Sequence, residues 1–217
     1  MRAAAPAQGQ QARRGFTAGA RYVLTHPYTR GLVAIALLAN TAISAVNVTL
    51  PLLARGPLHA GSGAYGAMQA AFQLGMLLSA GLLSVRPLPD RLLANRRALG
   101  VSLAGLGVAF GLLAASRTVP LAVGAVLLAG VALSVTALIS DTRLVTEIPA
   151  AVQGRVMGLL IGMSGALRPA GTLAGGVVAG VAGAAAATGV GAAALTVLGG
   201  WYALRTPAGV AGAGGGP

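Results

Sequence analysis

The chain has 217 residues, 56% hydrophobic and only 8% charged, with mean hydropathy +0.81 and net charge +12. A soluble domain carries about 25% charged residues, so a water-soluble globule is excluded as the fold. The lack of cysteine excludes disulfides, thiolate metal sites, iron–sulfur clusters and c-type haem attachment, and no cofactor is expected.

In chain order, Met1–Gly15 is an Ala/Gln/Arg tail too polar to pack, and disorder is expected there. Residues 16–30 form an interfacial segment. Phe16–Thr25 can make a short helix with Phe16, Ala20 and Val23 on one face and Arg21 opposite, lying on the membrane surface until Pro27 breaks it. No apolar core precedes the first span, so no cleavable signal peptide is expected.

Residues 31–205 then read as one membrane domain. No Asp, Glu, Lys or Arg occurs in Gly31–Ala54, Gly56–Val85, Ala98–Ser116, Thr118–Ser140, Val156–Leu167 or Pro169–Leu204. About 20 such residues cross a hydrocarbon core. With Arg168 inside the fifth span and a turn at Gly183–Gly189, six helices are predicted. They lie near Leu32–Leu53, Tyr65–Leu83, Leu99–Ala115, Leu121–Ile139, Val156–Val178 and Val190–Leu204. The class is an all-α polytopic membrane protein in a lipid bilayer. Arg86–Arg97 and Asp141–Arg155 are the two longer loops, and Thr206–Pro217 is a second tail expected to be disordered.

All fifteen basic residues are Arg, and their placement argues against a nucleic-acid partner. With the N-terminus inside, Arg2, Arg13, Arg14, Arg21, Arg30, Arg86, Arg91, Arg96, Arg97, Arg143, Arg155 and Arg205 fall on the inner side. Only Arg55 and Arg117 fall outside. That asymmetry gives an N-in, C-in topology. The Arg, Ala, Gly and Pro richness suggests a GC-rich genome and hence a bacterial inner (plasma) membrane.

Within the spans, Gly107/Gly111, Gly158/Gly162, Gly171/Gly175 and Gly176/Gly180 are each four apart, a spacing that lets helix backbones approach. Polar residues cost more in lipid and so carry more information. Asn40, Ser44 and Asn47 form one stripe on the first span, and Gln69 and Gln73 another on the second. Ser134, Thr136 and Ser140 lie on the fourth, and Ser164, Arg168 and Thr172 on the fifth; the third has Ser102 and the sixth Thr196. Such residues either line a wet cavity or bond neighbouring helices. Arg168 is the sharpest of them, because it keeps its charge near the bilayer midplane. The three acids, Asp90, Asp141 and Glu147, lie at the inner edge or in loops. Pro169 disfavours α geometry at Arg168 and frees carbonyls by a kink. Either those carbonyls satisfy the guanidinium, or it meets a substrate anion or a partner's acid.

Ile148-Pro149-Ala150-Ala151-Val152-Gln153-Gly154-Arg155-Val156 is similar to the V-P-x-x-x-R-G-R-V run of major facilitator transporters, with Gln153 for the first Arg. Arg168-Pro169-Ala170-Gly171, followed by Gly175 and Gly180, resembles their R-P-x-G run. Gly81–Ser84, Asp90-Arg91 and Arg96-Arg97 resemble their inside-loop motif G-x-x-x-D-R-x-G-R-R, here lengthened by Pro87 and Pro89 and lacking the Gly. Gly19–Leu24 with His26-Pro27 resembles the surface helix before the seventh family helix.

Together these resemble the C-terminal six-helix half of that superfamily, in its drug- and siderophore-exporter-like branch. The resemblance implies a secondary active transporter half that exports small amphipathic or drug-like molecules by alternating access. Substrate would meet Asn40, Ser44, Asn47, Gln69, Gln73 and Arg168, and gating would use Asp90, Arg91, Arg96 and Arg155. The implied partner is a missing N-terminal half or a second copy. The alternative is a truncated, non-transporting membrane protein or scaffold. An enzyme is not expected: His26 and His59 both lie in loops, and no acidic cluster suits a metal-dependent transferase.

The Arg asymmetry makes a direct prediction. In this Cys-free chain, a Ser62→Cys variant should react with an impermeant thiol reagent from outside, and an Asn95→Cys variant should not. The reverse pattern inverts the topology.

Overall fold

The computed structural model describes residues 21, 23–89, 92 and 95–205. The tails expected at 1–15 and 206–217, and residues 16–20 of the expected surface helix, lie outside the described residues. Six helices, each long and apolar enough to cross a membrane, follow one another: α1 Pro27–Arg55, α2 Ser62–Val85, α3 Arg96–Ala115, α4 Val119–Glu147, α5 Ala150–Ala182 and α6 Ala184–Arg205. Among the described residues there is no strand. Lipid offers no hydrogen-bond partner to a backbone, so segments this apolar must satisfy their amides internally as helices.

The helix ends correct the sequence expectations. Pro27 opens α1 at its first turn rather than standing apart from it, because its missing N–H is not needed there. Val23, just before it, is buried against the bundle while Leu24 stays exposed. The expected Asp141–Arg155 loop is mostly helix: α4 continues through Asp141 to Glu147, and only Ile148 and Pro149 link it to α5. Buried Ile148 anchors that link. The expected Gly183–Gly189 turn shrinks to Gly183, whose φ of 87° is open to glycine and strained for other residues. Pro169 lies inside an unbroken α5, so Arg168 is helical after all.

Packing follows a pattern that repeats after three helices. α2 packs on α4 as α5 packs on α1, α3 packs on α4 as α6 packs on α1, and α3 packs on α6 across the middle. α1 touches α2, and α4 touches α5, more lightly; α5 also packs on α6, a contact that α2 and α3 do not match. Because successive spans alternate in direction, α1–α3 and α4–α6 are two three-helix units that run in opposite senses. α3 and α6 therefore back a layer made of α1, α2, α4 and α5. The interior side of α3 shows the density of that backing, with Leu103, Leu106, Phe110 and Leu113 almost wholly buried.

These contacts are close enough to forbid side chains at particular glycines. A Cβ on Gly75 would meet the Leu127 carbonyl oxygen, and one on Gly130 would meet that of Phe72, so α2 and α4 hold each other reciprocally. Gly100 and Gly199 do the same for α3 and α6, and Gly171 and Gly175 lie on the Thr41 and Ala45 carbonyls of α1. Of the glycine pairs singled out by spacing, Gly158/Gly162 and Gly176/Gly180 have open space instead. Between α1 and α6, the Thr49 and Thr188 hydroxyls are wholly buried and 2.5 Å apart. Each also lies within reach of its own helix, Thr49 of the Val46 carbonyl and Thr188 of the Ala184 carbonyl. Two protons serve three contacts, so one hydroxyl donates to the other while the acceptor donates to its own helix.

Substituting Gly130→Val should push α4 off α2 and cost about 1–3 kcal/mol. Gly124→Val, in open space on the same helix, should be close to neutral. Thermal unfolding in detergent checks this; equal midpoints for the two variants would refute the close approach.

Candidate functional site

The polar stripes lie on sides of the helices that packing leaves open. On α1, Val46 and Ala42 meet Gly191 of α6, and Thr49 meets Thr188. At 3.6 residues per turn, Asn40 and Asn47 point about 100–180° away from Val46 and Thr49. Asn47 is exposed, whereas Asn40 and Ser44 are half-buried. Asn40 donates its Nδ2 to the Ala36 carbonyl at 2.8 Å, and Ser44 its hydroxyl to the Asn40 carbonyl at 2.8 Å. The Asn40 Oδ1 is left as an acceptor two turns from the exposed Asn47 amide.

On α2, Gln69 and Gln73 are exposed and lie more than about 100° round from Gly75, the contact with α4. Leu74 and Leu78 occupy the other open flank, while exposed Leu77 continues the stripe of Gln69 and Gln73. On α4, Ser134, Thr136 and Ser140 are half-buried, and Thr136 donates to the Ala132 carbonyl at 2.7 Å.

α5 shows the division most clearly. Gly171 and Gly175 face α1, and the two exposed flanks differ in chemistry. One carries Arg168, Thr172 and Gly176 in successive turns; the other carries Leu173, Val177 and Val181, with Val181 87% exposed. Five residues of helix set these flanks about 140° apart. Thr172 donates its hydroxyl to the Arg168 carbonyl at 3.0 Å. The Arg168 side chain is exposed, and the described residues give its guanidinium no hydrogen-bond or ion-pair partner. The bland alternative, in which carbonyls freed at Pro169 hold it, is not seen. Five N–H donors and a permanent charge remain available there.

The expected gating residues are less fully placed. Asp90 and Arg91 lie outside the described residues. Arg96 opens α3, and Arg155 is exposed in the second turn of α5. Around Arg155 the apolar ends of the motif are fixed, since Ile148 and Val156 are buried. Sequence reasoning missed Asn95, whose Oδ1 accepts from the Arg97 amide at 3.0 Å and caps α3. An Asn immediately before an apolar run is the signal that could have found it. It also missed Thr188, by assigning it to a turn.

The arrangement offers amide donors and acceptors on α1 and α2 and one fixed cation on α5, with no acid among them. That suits reversible contact with polar or anionic groups. The family model described as transmembrane secretion effector matches residues 3–209 and points to a major-facilitator-like transporter rather than an enzyme. Searches among curated proteins and among solved structures find no match. With its six apolar helices and a match along nearly its whole length, the chain belongs to the transmembrane secretion effector family.

Proposed function

We propose that this six-helix unit is one half of a secondary active transporter, exporting small amphipathic or drug-like molecules by alternating access. Its layer of α1, α2, α4 and α5 forms one wall of the path, and a second six-helix half or a second copy forms the other. The observation that carries this reading is Arg168: exposed on a spanning helix and without a partner among the described residues. Lipid would make that side chain costly by roughly 2.5–3.5 kcal/mol or more, so its flank belongs against water, substrate or a partner's acid. The aliphatic flank of Leu173, Val177 and Val181 is the one suited to lipid. The opposed three-helix units support the same reading, since such repeats flank a midplane site in rocking transporters.

In this reading substrate meets Asn40, Ser44, Asn47, Gln69, Gln73 and Arg168. Asp90, Arg91, Arg96 and Arg155 act as gating charges at the inner end, with both termini cytoplasmic in a bacterial inner membrane.

Arg168 supplies the test. Arg168→Leu removes an insertion cost, so membrane yield should hold or rise, while transport by the assembled protein should fall by more than about tenfold. Arg168→Lys keeps the charge but loses the planar fork, so part of the activity should remain. Vesicle flux measured beside membrane yield separates the effects. Normal flux in the Leu variant would remove Arg168 from the site.

A further inference from the structure

On the opposite side of α1 from the Asn40–Asn47 stripe, α1 and α6 enclose a groove that the transport reading does not use. Its volume is about 660 Å³, and Gly31, Ala34 and Leu38 of α1 line it with Val197, Trp201 and Arg205 of α6. We propose that this groove binds one anionic phospholipid from the leaflet at the Arg205 end.

The dimensions fit one leaflet. From Ala194, the deepest lining residue of α6, to Arg205 the helix rises about 16 Å, half of a hydrocarbon core of about 30 Å. The hollow exists because small side chains floor it, and a Cβ built on Gly31 meets nothing within 4 Å. An acyl chain can lie there along Leu38 and Val197.

The end of the groove has headgroup chemistry. The Arg205 guanidinium lies 4.8 Å from the Trp201 ring centroid, which holds a cation beside an aromatic of the kind that sits at the membrane interface. Arg30, exposed, stands one turn from Ala34 on the same stripe of α1 and lines the adjoining groove. No acid lines either groove. One cation at the end of an apolar slot, with a second on the adjoining groove, complements a phosphate carrying net negative charge and disfavours a zwitterionic headgroup with its own cation. A second protein chain would leave those arginines without a counter-charge unless it supplied acids.

The full-length protein in detergent is titrated with phosphatidylglycerol or phosphatidylcholine, with retained lipid counted by native mass spectrometry. One phosphatidylglycerol should be retained in preference to phosphatidylcholine. Arg205→Gln should weaken it about fivefold. Gly31→Leu, which fills the hollow, should weaken it too, whereas Arg117→Gln at the other end should not. Equal retention of the two lipids, or phosphatidylglycerol binding unchanged by Arg205→Gln, overturns the site. A dimer that dissociates in Gly31→Leu without any lipid preference also overturns it. The charge variant decides the matter even where the glycine variant fails to fold.

Discussion

Backbone-to-backbone contact at glycine sets the positions of these six helices, and the open surfaces follow from it. In lipid there is no hydrophobic gain when one apolar helix meets another, so association rests on dispersion at short range and on buried hydrogen bonds. Gly75 and Gly130 bring α2 onto α4, Gly171 and Gly175 bring α5 onto α1, and Gly100 and Gly199 bring α3 onto α6. Each contact consumes one face of each helix. The Thr49–Thr188 pair adds a polar lock between α1 and α6, where an unmade bond would be expensive.

What remains open is divided by chemistry. α2 shows Gln69 and Gln73 on one flank, continued by Leu77, and Leu74 and Leu78 on another; α5 shows Arg168 and Thr172, with Ile161 two turns earlier, against Leu173, Val177 and Val181. A unit surrounded only by lipid has no use for a polar flank, because amides and a guanidinium lose their hydration there. In the proposed function the polar flanks face a second half, a water-filled path, or both. The groove between α1 and α6 lies on the other side of α1 from the polar stripe, so a lipid held there as proposed would brace the unit without competing for the path.

Much of the fold was legible in the sequence because the bilayer allows so few structures. Charge-free stretches of sufficient length must be helices, and all six were found that way. Their ends were less legible. Asp141 and Arg143 read as loop residues by charge, yet α4 carries them in its last turns, with Arg143 only 2% exposed. Charge marks where lipid ends, not where helical hydrogen bonding ends. The spacing of glycines found Gly107, Gly171 and Gly175 but not Gly75, Gly130, Gly100 or Gly199, since a close approach needs glycine opposite the right neighbour rather than another glycine four residues away. The stripes of Asn40, Asn47, Gln69, Gln73 and Arg168 were legible from helical period and cost in lipid. Their direction relative to the packed faces required the contacts themselves.

The central claim is that the polar flanks face away from lipid. It is tested most directly by nitroxide labels on α2, at Gln73→Cys and at Leu78→Cys, in liposomes holding the transport-competent assembly. Collision with a water-soluble paramagnetic reagent and with oxygen reports water and lipid respectively. The account predicts that the label at position 73 favours the aqueous reagent relative to that at position 78, which favours oxygen. Oxygen-dominated collision of equal strength at both positions would contradict it.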